Sequence, residues 1–136
     1  MKMSRKSDYA LRAIWHLTNL PKRKLASINI ISDGQSIPRE FLAKILKDLT
    51  RAGILVSFQG AQGGYRLAKP PREITFLDVI EAIDGPVHLS PCTEEDNNCE
   101  CYDNYEFSDF WEIQERNLRK ALNKQHFGKF RRKKQK

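Results

Sequence analysis

Apolar residues recur at helical spacing in several separate stretches of the chain. Leu11, Ile14, Trp15 and Leu17 alternate with charged or polar residues from Ser4 to about Leu20, where Pro21 stops the run, which predicts a first amphipathic helix. Ile28, Ile30 and Ile31 suggest a short second helix, although a β-branched run also suits a strand. Asp33-Gly34 is then expected to turn the chain. Pro38 falls in the first turn of the next segment, where Phe41, Leu42, Ile45, Leu46 and Leu49 make one apolar face and Gly53 marks the end. The opposite face displays Arg39, Glu40, Ala43, Lys44, Lys47 and Arg51. Two helices on a tight turn, the second apolar on one side and basic on the other, predict a helix-turn-helix.

Beyond it, the β-prone runs Ile54 to Phe58 and Tyr65 to Ala68 flank the glycine-rich connection Gln59 to Gly64. This predicts a hairpin wing, whose glycines would let its backbone approach a phosphate or a minor groove. The loop lacks the Lys-Ser/Thr ending and following helix of a nucleotide-phosphate cradle. Pro70-Pro71 breaks the chain, and Thr75 with Asp78 forms a capping-box pattern ahead of Val79, Ile80 and Ile83. That short helix should end at Gly85-Pro86. From Val87 to about Tyr105 there is no usable periodicity, which predicts a loop. Ser108 is placed to cap a last long helix carrying Phe110, Trp111, Ile113, Leu118, Ala121 and Leu122. A core this small does not readily cover both aromatic rings, so dimerisation through this helix is expected.

Charge sharpens this picture. Met1 to Arg72 holds 14 Lys/Arg against 4 Asp/Glu, Glu73 to Glu106 none against 10, and Phe107 onward 10 against 3, giving segments of +10, −10 and +7. A basic first half beside an acidic block suits a nucleic-acid module followed by a segment that stays off the phosphates. The terminal FGKFRRKKQK reads as a flexible charge cluster, with DNA contact and a merely solubilising end as the two alternatives. The chain lacks an apolar stretch near the roughly 18 to 20 residues of a membrane span, and MKMSRKSDYA lacks a signal's apolar core, so a cytoplasmic protein without membrane association is expected.

Cys92, Cys99 and Cys101 lie within ten residues, an odd number and without an export signal. That arrangement points away from a disulfide framework and toward metal, iron-sulfur or redox chemistry. His16, His88 and His126 read as structural or exposed, with His88 in reserve as a ligand because of its proximity to the loop. No carboxylate or His pair is placed with a nucleophile, so an enzyme and a small-molecule substrate are not expected. A protein-interaction or metal-storage module is the other alternative, and it predicts no sequence-specific DNA binding.

The strings SDYALRAIWHL, IPREFLAKILKDLTRAGIL and QGAQGGYRLAKPPREITFLDVIEAIDGP, with the cysteine segment after them, resemble the Rrf2 family of bacterial winged-helix regulators from Met3 to about Leu122. The resemblance implies a mostly α fold with a small β-hairpin wing, a winged helix-turn-helix plus a long C-terminal dimerisation helix. Residues 1–86 would form the DNA-binding domain, 87–105 the cysteine loop, 106–127 the dimerisation helix and 128–136 a flexible basic tail. The helix-turn-helix maps to about 28–51. A homodimer would sit on a double-stranded operator, Arg5, Lys6, Lys44, Lys47 and Arg51 contacting phosphates and Arg39 and Glu40 reaching base edges. The wing residues would be Gln59, Gln62, Gly63, Gly64 and Tyr65. Gln59 stands where the family often has an arginine, which implies a different operator.

The resemblance also implies an iron-sulfur cluster on Cys92, Cys99 and Cys101, four-iron four-sulfur, with a two-iron cluster or none as alternatives. Cys99 and Cys101 are closer together than in cluster-binding relatives, and the histidine that follows the third cysteine in one branch is absent from Tyr102-Asp103-Asn104-Tyr105. A nitric-oxide-sensing branch instead takes an aspartate from the first helix of the other subunit, which here corresponds to Asp8 of the partner subunit. Repression responding to cluster status, redox state or nitric oxide is the implied function; a thiol-disulfide switch, a zinc site or no role for the thiols are the other readings.

Overall fold

The computed structural model describes residues 2–22, 24–90 and 106–132. Five α-helices and one antiparallel hairpin follow in the order α1 (Arg5–Thr18), α2 (Ile28–Gln35), α3 (Arg39–Arg51), β1 (Leu55–Phe58), β2 (Gly64–Leu67), α4 (Phe76–Asp84) and α5 (Ser108–Lys124). Short 3-10 turns at Pro71–Glu73 and Phe127–Phe130 complete it.

Helix α1 begins where Ser4, in extended backbone, accepts a bond from the Ser7 amide and so satisfies one of the first turn's free donors. Its Ala10, Ala13, Ile14 and Leu17 face the core. Helix α2 starts at the Ser27 cap. Helix α3 buries Leu42, Ile45, Leu46 and Leu49. Each is worth about 1.5–3 kcal/mol of apolar burial, so this stripe fixes the helix's rotation and sends its cationic residues outward. The hairpin pairs Leu55 with Leu67 and Phe58 with Gly64. Both members of the capping box form at α4: Thr75 Oγ1 accepts from the Asp78 amide and Asp78 accepts from the Thr75 amide.

Five expectations need correction. The turn between α2 and α3 is not made by Asp33-Gly34, which lie inside α2. Ser36 takes the left-handed conformation instead (φ 53°), while the Ser32 hydroxyl and carbonyl hold Ile37. Gly34 has a packing reason: a Cβ there would stand 2.6 Å from Cε1 of His16. Pro38 is the cap of α3 rather than a first-turn residue, and Phe107, not Ser108, occupies that place at α5. Phe41 is 45% exposed rather than core, its ring 6.2 Å from that of Tyr9.

The fifth correction concerns the C-terminal run, which docks as far as Arg132. Phe127 is 1% exposed, its amide donates to the Ile74 carbonyl, and its ring centroid lies 5.0 Å from that of Phe76. Trp15 Nε1 donates to the Phe130 carbonyl and the Arg132 guanidinium covers the Trp15 ring at 4.7 Å. Composition hid this because two phenylalanines are outnumbered by cations, yet they supply the apolar area that seats the turn.

Candidate nucleic-acid interface

Arg39, Glu40, Lys44, Lys47 and Arg51 are all exposed along α3, as are Arg5 and Lys6 at the start of α1. Glu40 and Arg51 lie in the first and last turns of α3, where the helix dipole favours their respective charges. Three of the candidate phosphate ligands, Lys44, Lys47 and Arg51, are thus held on one rigid helix whose other face is locked in the core. Gln59 and Gln62 are exposed at the tip of the hairpin.

The glycines beside them have duties within the chain. A Cβ on Gly63 would collide with the Phe58 carbonyl, and one on Gly64 would lie 2.6 Å from the Ala26 carbonyl. Tyr65 exchanges two backbone hydrogen bonds with Ala26, at 3.0 and 2.8 Å, and its side chain packs partly against the core. Gly64 and Tyr65 fasten the wing to the segment entering α2, while Gly63 lets the hairpin loop close on itself. Their intramolecular contacts account for their identity without invoking DNA.

Sequence reading passed over Arg12, which joins α1 to the helix-turn-helix. Its guanidinium lies 3.3 Å from the Asp8 carboxylate, sits 4.8 Å above the Tyr9 ring and donates a 3.0 Å bond to the Gln35 carbonyl at the end of α2. The spacing of Asp8 and Tyr9 on the same helix was a readable signal for the first two contacts; the third joins distant segments. At the same end of α1, the Asp84 carboxylate accepts from both Ser4 and Ser7. That ties the first turn of α1 to the last residue of α4.

Cys92, Cys99 and Cys101 lie outside the described residues. Among the described residues no group of three or more His, Cys, Asp or Glu is arranged to hold a metal ion. Asp8, the fourth ligand expected from the resemblance, has a half-exposed side chain (51%) already paired with Arg12. His88 is engaged by Glu115 at 2.9 Å, and the same carboxylate oxygen accepts from the Leu89 amide. Burial pushes the pKa of His16 below its ordinary value, and the Arg132 charge adds to the effect.

Helix α5 contributes no buried residue. Phe107, Phe110, Ile113 and Leu118 are 61, 52, 49 and 39% exposed. One of its faces meets α4, where Arg119 pairs with Glu81 at 3.0 Å. Among the described residues no helix is long and apolar enough to cross a membrane.

The model of a family of transcriptional regulators, Rrf2, described as iron-dependent, matches residues 3–132. A putative HTH-type, Rrf2-like transcriptional regulator of Rhodobacter capsulatus is 36% identical over 93 residues, which cover 66% of this chain and 62% of that protein. The match thus spans less than two thirds of that curated relative. Among solved structures, CymR, the global cysteine regulator of B. subtilis, superposes with a TM-score of 0.79 at 23% identity, covering 96% of this chain and 95% of its own. IscR of T. potens gives 0.76 at 24% identity over 96% and 85%. Both agree with the winged-helix architecture seen here. The chain belongs to the Rrf2 family of transcriptional regulators.

Proposed function

We propose that this chain is a homodimeric, sequence-specific DNA-binding repressor whose affinity for its operator is set at the cysteine segment. One observation carries the DNA-binding part: a helix buried on its apolar side presents Arg39, Lys44, Lys47 and Arg51 outward, next to a wing pinned by Gly64 and Tyr65. Lys44, Lys47 and Arg51, with Arg5 and Lys6, supply the salt-dependent phosphate affinity; Arg39 and Glu40, at the start of α3, read base edges. Gln59 and Gln62 at the wing tip add contacts in the neighbouring groove. The exposed apolar residues of α5 support association with a second copy, and a dimer covering a promoter excludes polymerase.

For the signal, three thiolates are soft donors suited to an iron-sulfur cluster, preferably four-iron four-sulfur, on Cys92, Cys99 and Cys101 with Asp8 of the partner subunit. Such a cluster supplies a centre that oxidants or nitric oxide destroy. The half-exposed carboxylate of Asp8 is open to such a role, at the cost of its pairing with Arg12. That same pairing favours a second reading, in which Asp8 stays with Arg12 and the cysteines act alone, as a thiol switch or a zinc site.

Anaerobic purification with iron and acid-labile sulfide analysis separates these readings. About four irons per chain, lowered in both Asp8→Ala and Cys101→Ala, is the expected outcome. A colourless, iron-free protein leaves the cysteine-only reading. Fluorescence anisotropy with DNA from the protein's own promoter region tests the DNA-binding part separately; no preference over random duplex defeats it.

A further inference from the structure

The end of α1 and the end of β2 form a cleft of about 570 Å³ with the two 3-10 turns, and no residue of α3 lines it. Its floor is apolar, built from Leu17, Leu20, Leu67, Pro70 and Pro71. Its rim is cationic: Lys22, Lys24, Arg66, Lys69, Arg72 and Arg131 line it, and among the described residues no Asp or Glu does. Arg66 is engaged over the Phe58 ring. The other five have no carboxylate partner among the described residues.

Five cations gathered without a counter-charge among the described residues repel one another, and an anion among them relieves that repulsion. A duplex backbone would meet the rim but leave the apolar floor uncovered. The volume falls within the range of small-molecule sites, about 300–1,000 Å³, which combine an apolar lining with a few convergent polar groups. We infer that this cleft binds a small amphipathic organic anion, such as an aliphatic carboxylate, its apolar body on Leu17, Leu20 and Leu67 and its head group among Lys24, Arg72 and Arg131. Such a ligand joins parts of the chain that matter for DNA binding. Lys24 belongs to the segment whose Ala26 fastens the wing at Tyr65, and Arg131 follows the docked C-terminal turn. No cysteine is among the described residues that line it, and it gives the regulator a second input.

Calorimetric titration of the full chain with decanoate, decanol and inorganic phosphate tests this, using Arg72→Glu, Arg131→Glu and, as an exposed cation outside the cleft, Lys120→Glu. The milder Arg72→Gln and Arg131→Gln guard against loss of folding, which far-UV circular dichroism checks. The expected result is saturable decanoate binding, one per chain, weakened at least tenfold by either charge reversal and unchanged in Lys120→Glu. Decanol and phosphate should each bind at least tenfold more weakly than decanoate, because each lacks one half of the match. Decanoate binding that is absent, or indifferent to Arg72 and Arg131, overturns the inference. So does a loss of random-duplex affinity in the same variants without any decanoate binding, which would make the rim part of the DNA track.

Discussion

Ser7 Oγ donates a 2.6 Å hydrogen bond to Asp84 Oδ2, joining residues 77 positions apart, and Ser4 Oγ donates to the same carboxylate at 2.7 and 2.9 Å. Ser7 is fully buried, so its hydroxyl has no water to turn to. The pair sets where α1 begins relative to α4, and so where Arg5, Lys6 and Asp8 are presented. Asp84→Ala should cost about 1.5–3 kcal/mol, the range for hydrogen bonds to a charged group, read from the urea midpoint. Asp84→Asn, which keeps an acceptor oxygen, should cost less. An alanine variant as stable as the native chain would show that the link contributes nothing net.

Removing the ring of Phe127 tests whether the C-terminal turn is part of the core. The ring is buried between Phe76 and the strand-like pairing of Ile74, and Phe76 stacks on Phe130 at 5.3 Å. Phe127→Ala should therefore destabilise the chain by about 3–5 kcal/mol, the usual cost of emptying a buried phenylalanine site. A cost below about 1 kcal/mol, the range of exposed surface changes, would return the segment to the status of a loose tail.

The fold was largely legible because its strongest signals are local. The 42/45/46/49 apolar stripe, the Ser4 end of α1, the Thr75–Asp78 box and the two β-prone runs around a glycine loop each need a few neighbouring residues to be recognised. What escaped depends on distant partners. Gly34 is a turn signal by residue type but packs under His16, Phe127 sits in a cationic run but meets Ile74 and Phe76, and Arg12 bonds across to Gln35 of another helix. The exposed basic face of α3 was readable for the same reason as its buried face, since one periodicity defines both. The roles of Gly63 and Gly64 were not, because the Phe58 and Ala26 carbonyls that exclude a side chain are set by tertiary placement.

Gly34 and His16 should be energetically coupled. A Cβ at position 34 would lie 2.6 Å from Cε1 and 3.0 Å from Nδ1 of the imidazole, whose Nδ1 is bonded to the Gln35 amide at 3.2 Å. Gly34→Ala alone should destabilise by about 1–3 kcal/mol through this overpacking. In a His16→Ala background the same change should stabilise by about 0.5–1 kcal/mol, because alanine outranks glycine inside a helix. A double-mutant cycle measures the reversal; equal effects in both backgrounds would mean the ring moves aside freely.

The same histidine gives stability a pH dependence of definite sign. Burial first, and the Arg132 charge second, lower its folded pKa below the ordinary 6.5. Above 6.5 both folded and unfolded chains hold it neutral, and its contribution is fully present. As pH falls below 6.5 the unfolded chain takes up the proton first, so that contribution is progressively lost until the folded pKa is passed. The slope should stay well under about 1.4 kcal/mol per pH unit, the limit for one proton, since the ring is partly exposed. Urea midpoints from about pH 7.5 to about 5.5 should fall for the native chain and fall less for His16→Gln; parallel curves would assign the acid sensitivity to other groups.

Salt dependence distinguishes the two kinds of contact proposed for α3. Lys44, Lys47 and Arg51 are exposed cations along the helix, and a phosphate contact from any of them releases a bound counter-ion from the duplex. Replacing each by alanine should weaken operator and random DNA alike and reduce the slope of log affinity against log salt by about 1. Arg39 and Glu40 start the helix, where side chains meet base edges, so their replacement should cost about 1–3 kcal/mol of discrimination between operator and random duplex. Lys120→Ala, on exposed α5, should change neither quantity. Anisotropy titrations at several salt concentrations give both readouts. If Arg39→Ala lowers the salt slope without altering discrimination, α3 is a phosphate-tracking helix, and the operator is read through the wing at Gln59 and Gln62.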